Sequence, residues 1–169
     1  MNAEQQRIRS YLQAQGAKLT PAEIVEKVQA AMRELRAAAA LVPPARFTQK
    51  PGPDDWSGNE VMAHVVAAGR YFGGAIVALA AGRPVPARAA GRGNEDAPPL
   101  PAEEWLDILE RDRAELFARA LTADPQAHLD GTVEHPFFGP LNWRETLLFM
   151  RLHDLDHAGQ LKQIAAALG

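Results

Sequence analysis

The sequence predicts an all-α protein, a four-helix bundle with an additional short N-terminal helix, and three observations carry that expectation. Four segments open on helix-start signals and continue for roughly twenty residues of helix-forming sequence. The connections between them are dense in proline and glycine, which do not continue a helix. The alternation of β-branched residues that marks strands is nearly absent. A chain of 169 residues, 47% hydrophobic and 23% charged, is read as a single domain over residues 1–169 with one packed core.

The elements follow in order. An amphipathic segment over about Ala3 to Gln15 predicts the N-terminal helix, with Gly16 as its stop. "TPAE" then places Thr20 at the N-cap, Pro21 at the first helical position and Glu23 three residues after the cap, opening a helix that runs to near Leu41. "VPPARFTQKPGPDDW" interrupts. "SGNE" repeats the start with Ser57 and Glu60 and leads to near Gly82. After "GRPVPARAAGRGNEDAPP", "LPAEE" puts Pro101 at a helix start. Glu103 and Glu104 follow in the first turn, where negative charge suits the helix dipole, and the helix runs to near Leu121. "NWRE", with Asn142 and Glu145, opens the last helix, ending near Leu168. Ahead of it, "HPFFGPLNW" sets the entry of that helix: His135 precedes a proline, which disfavours helix, and Gly139-Pro140 turns the chain toward the cap, with a site residue at the bundle mouth as the lesser reading of His135. His128 reads as a solvated surface residue, and Trp56, Trp105 and Trp143 as packing anchors at helix ends.

Bulk properties exclude several classes. A formal net charge of -3 supplies no positive field for a phosphate backbone and no basic recognition helix is visible, so nucleic-acid binding is not expected. With no cysteine, a metal site must use nitrogen and oxygen ligands. "MNAEQQRIRS" is polar where a signal peptide would be apolar, and a cytoplasmic protein is expected. Val61 to Ala81 is long enough to span a bilayer, but His64 and Arg70 within it would be costly there, so a buried helix and no membrane are expected.

The segment "RLHDLDHAGQ" (Arg151 to Gln160) sets two of the five histidines four residues apart. At 100° per residue with His153 at zero, His157 falls at about 40°, Thr146 and Ile164 at about 20°, Met150 at about 60° and Gln160 at about 340°. The pair therefore lies on the apolar face. Asp154 and Asp156 fall at about 100° and 300°, flanking it, where either could accept the outer N–H of a ligating imidazole. On the second long helix His64 lies on one stripe with Glu60, Ala68, Tyr71 and Ala75. Three neutral imidazoles could converge on one divalent ion with open coordination positions: zinc, nickel, iron or manganese. The competing reading is a set of satisfied core histidines, yet buried imidazoles need partners that these apolar faces do not obviously supply. Tyr71 and Gln160 read first as local packing and hydrogen-bonding groups, with orientation of a substrate as the alternative. Arg83, Arg88 and Arg92 are followed closely by Glu95 and Asp96, and read as a solvated loop rather than an anion trap. Leu148, Leu152, Leu155 and Gly159 form a second apolar stripe, to be covered by the N-terminal helix or a second subunit.

"WSGNEVMAHVVAAGRYF" (Trp56 to Phe72) and "VEHPFFGPLNWRETLLFMRLHDLDHAGQL" (Val133 to Leu161) resemble the DinB-like superfamily of bacterial four-helix proteins, which includes the YfiT-type metalloenzymes. The resemblance implies that His64, His153 and His157 bind a divalent metal, commonly nickel or zinc. It implies a homodimer acting on a small-molecule substrate. Characterised relatives use low-molecular-weight thiols such as bacillithiol or mycothiol for S-transfer, or isomerise maleylpyruvate. A thiol S-transferase-like metalloenzyme is the expectation. A metal-dependent hydrolase, or a non-catalytic, stress-associated metal-binding bundle, is the alternative.

Overall fold

A computed structural model describes residues 1–88 and 94–169; Arg92 lies outside the described residues. The elements in order are α1 (Ala3–Lys18), α2 (Pro21–Leu41), α3 (Gly58–Ala80), α4 (Ala102–Thr122), the short strands β1 (Val133–His135) and β2 (Gly139–Leu141), and α5 (Trp143–Leu168). Helices α2 to α5 form a four-helix bundle in which α2 packs most extensively on α5, and α3 packs on both α4 and α5.

The helix starts obey local chemistry. Ser57 and Asn142 accept hydrogen bonds from the backbone three residues on, while Glu60 and Glu145 reach back to the cap N–H groups, completing two capping boxes. Thr20 caps α2 with Pro21 at its first position. At α4 the expectation shifts by one residue: Pro101 is itself the cap residue and makes no side-chain cap bond. Asn59 of α3 holds this start from outside. Its Oδ1 accepts from Leu100 N–H (3.1 Å) and from the Trp105 indole N–H (2.8 Å), and its Nδ2 donates to the Pro98 carbonyl (3.1 Å).

Two expectations are corrected. Gly16 does not end α1, which runs on to Lys18. A Cβ at Gly16 would come within 3.0 Å of Glu145 Cγ, so this glycine serves close approach of α1 to α5. The segment ahead of α5 is not only a loop: β1 and β2 pair antiparallel, Val133 opposite Leu141 and His135 opposite Gly139. Strands of three residues are too short to show alternation, and Gly139 takes the positive φ of 71° that the turn requires. His128 is exposed, as expected of a surface residue, with its ring beside Gly82.

The long apolar helix α3 would span a membrane by length and composition; here more than half of its most apolar window, 56%, is buried within the bundle. The first half of the second stripe on α5 is met inside the chain, while Leu155 and Gly159 stay half-buried, with open space beside Gly159. Leu148 is fully buried and Leu152 packs against the same core cluster, which takes in Leu12 of α1 and Ile24 and Val28 of α2. The entry of α5 is tied to distant segments by the buried Arg144, whose guanidinium donates to the Pro125 and Leu19 carbonyls, and by the Trp143 indole N–H, which donates to Ala127 (3.1 Å).

Candidate metal centre

His64 on α3 and His153 and His157 on α5 come together between the two helices, each offering a ring nitrogen within 4.8 Å of the others. The Nε2 atoms of His64 and His153 are 3.2 Å apart. Four-coordinate zinc at 2.0–2.1 Å from each nitrogen sets neighbouring nitrogens about 3.3 Å apart, so this edge already has the required length. The Nδ1 of His157 meets Gln160 Oε1 at 2.8 Å. An amide oxygen only accepts, so Nδ1 carries the proton and Nε2 is left with its lone pair for the cluster.

Burial sets the protonation state. Desolvation, followed by repulsion from His157 and then Arg88, pushes His64 down to about 4. Desolvation, reinforced by His157, His64, Arg113 and His135, pushes His153 to about 2. Both are therefore neutral imidazoles near pH 7, the form that ligates a metal. The donor set fits a borderline divalent ion, and among the described residues no carboxylate joins the three nitrogens.

The candidate residues around the histidines fall into different places. Asp154 is fully buried, but it faces α4, where its two carboxylate oxygens take a bidentate pair from Arg113 at 2.8 and 2.9 Å. Asp156 is exposed. Neither aspartate hydrogen-bonds a histidine; Gln160 takes that position for His157. Glu60 closes the α3 capping box and pairs with Lys50 at 3.3 Å. Tyr71 sits edge-on to Phe72 at 5.0 Å between centroids, with the Arg88 guanidinium 5.1 Å over its face.

Two neighbours carry more than the sequence suggested. Trp56 does pack at a helix end, but against the site: its ring lies 5.1 Å from that of His64 and parallel to His157 at 6.5 Å. It precedes the α3 cap, so no helical rotation could have placed it. His135 is buried among Phe72, Phe138 and Phe149, and its Nδ1 accepts from the backbone N–H groups of Phe137 (3.1 Å) and Phe138 (3.3 Å). It holds the hairpin turn as a neutral ring, and burial pushes its pKa down to about 4.

A pH dependence follows. His64, His135 and His153 stay neutral in the folded chain but protonate near 6.5 when unfolded, so the unfolded state binds more protons below that pH. Stability of the metal-free protein is then full above pH 6.5 and falls as the pH drops toward 4. Buried His135 contributes up to about 1.4 kcal/mol per pH unit. Thermal melts at pH 7.5 and 5 should show the loss, and His135→Asn should reduce it, because an asparagine oxygen can still accept from the turn N–H groups without titrating. An unchanged pH response in that variant would remove His135 from the account.

The sequence profile of the DinB superfamily matches residues 6–161. Among solved structures, the crystal structure of TT2238, described as a four-helix bundle protein, superposes with a TM-score of 0.64 at 26% identity, covering 85% of this chain and 99% of that one. No protein of curated function gives a significant sequence match.

Proposed function

The chain belongs to the DinB superfamily, and on that premise we propose that it is a divalent-metal-dependent enzyme of the thiol S-transferase kind, with His64, His153 and His157 as the metal ligands. The observation that carries the reading is the three-imidazole cluster itself, nitrogens within 4.8 Å and no further protein ligand in the group among the described residues. Three nitrogen ligands leave positions for a reactant, as in catalytic rather than closed structural sites. Imidazole nitrogen suits zinc or nickel, and also iron.

The bound ion would supply positive charge that lowers the pKa of a thiol or water and makes it a nucleophile near neutral pH. The chain's own residues do the rest. Burial holds His64 and His153 neutral, Gln160 holds the His157 tautomer, and the Trp56 ring packs beside His64 and His157. A low-molecular-weight thiol would then attack an electrophile; the new C–S bond forms as the leaving group departs and the thiol proton is released to solvent.

The test loads the purified protein with zinc or nickel and supplies a low-molecular-weight thiol with an activated aryl halide. Thioether product that disappears on chelation is the expected result. Halide released equally fast without thiol, with a phenol formed by water, would replace the transferase reading with the hydrolase. A protein that takes up metal but turns over neither would be the non-catalytic bundle, and one that takes up no metal would end all three.

A further inference from the structure

The charge balance of the site points to the class of molecule it receives. Three neutral imidazoles would leave the two positive charges of a divalent ion uncompensated by protein. The nearby carboxylates are engaged elsewhere: Asp154 with Arg113, Glu60 with its cap and Lys50. Arg88 adds a further cation. Its guanidinium lies 5.1 Å over the face of Tyr71, which stands two turns along α3 from His64. Among the described residues no carboxylate lies within ion-pair distance of it, whereas Arg36, Arg70 and Arg113 each have an acidic partner. Tyr71 shares one stripe of α3 with His64, so Arg88 stands on the side of the helix that faces the site. In a chain of net charge -3, this corner is electropositive.

Resting on the metal reading above, we propose that the site selects small molecules bearing an anionic group, such as a carboxylate, separate from the atom that reaches the metal, and that Arg88, held on Tyr71, is the group that recognises it. A guanidinium presents a planar fork of donors matched to a carboxylate. The aromatic face beneath restrains the side chain, so less freedom is lost when the anion arrives.

The experiment uses the cobalt(II)-loaded protein and two thiols of similar size, 3-mercaptopropionate and the uncharged 2-mercaptoethanol, with binding read from the sulfur-to-cobalt absorption band. The wild type should bind the carboxylate-bearing thiol up to about fivefold more tightly, the scale of one exposed ion pair. Arg88→Gln should abolish that preference while cobalt content and 2-mercaptoethanol affinity stay as they were. Raising the salt concentration should erode the preference in the wild type alone. Equal binding of the two thiols by the wild type, or a preference that survives in Arg88→Gln, would overturn the proposal and leave the metal site standing. No cobalt uptake, or no band with either thiol, would overturn the metal and thiol reading and this proposal together.

Discussion

Asp154→Ala should lower the stability of the fold by about 3–5 kcal/mol, the usual cost of stranding one partner of a buried ion pair. Asp154 is 0% and Arg113 2% exposed at the side chain, and the pair is bidentate across α4 and α5. Removing the carboxylate leaves a guanidinium in the core whose Nε already lacks a hydrogen-bond partner. Against a total of about 5–15 kcal/mol for a natural domain, this is a large fraction. Urea unfolding measures it as a fall in midpoint. Replacing both partners together, Arg113→Met with Asp154→Leu, should recover much of the loss, because the cost arises from the orphaned charge rather than from the pair's own attraction. A double variant no better than Asp154→Ala would contradict that cause. The pair also fixes α5 to α4 one residue from His153.

The second large effect concerns the ion. His153→Ala should weaken divalent-metal binding by more than about 100-fold, since removing even an outer partner of a metal ligand commonly costs 10- to 100-fold. Equilibrium dialysis followed by metal analysis reads it directly. Stability gives an independent readout. An ion present at 100 times its dissociation constant should stabilise the wild type by about 2.7 kcal/mol, visible as a raised thermal midpoint that a chelator reverses, and His153→Ala should show no such gain. Equal metal content in the two proteins would remove the three-histidine site. His157→Ala should behave alike, while Gln160→Ala, which frees the His157 ring but keeps its nitrogen, should fall between.

Much of the fold is legible along the chain because helix ends are local. A cap, its box partner and a proline lie within four residues, so Ser57 with Glu60, and Asn142 with Glu145, mark α3 and α5 without any knowledge of the rest. The departures have non-local causes. Gly16 is overruled as a helix stop by the nearness of Glu145, far along the chain. The hairpin before α5 is defined by cross-strand pairing and by His135 bonding to its own turn.

The site divides along the same line. The 3.6-residue period by itself placed His153 and His157 on one inward face and His64 on another, because rotation about a helix needs no partner. Only the tertiary structure decided how those faces met. It turned Asp154 to Arg113, laid Trp56 beside the imidazoles and set Arg88 on Tyr71. Each of these depends on the distance and crossing of separate helices, or on a loop that follows no period, and such relations exist only once the bundle has packed.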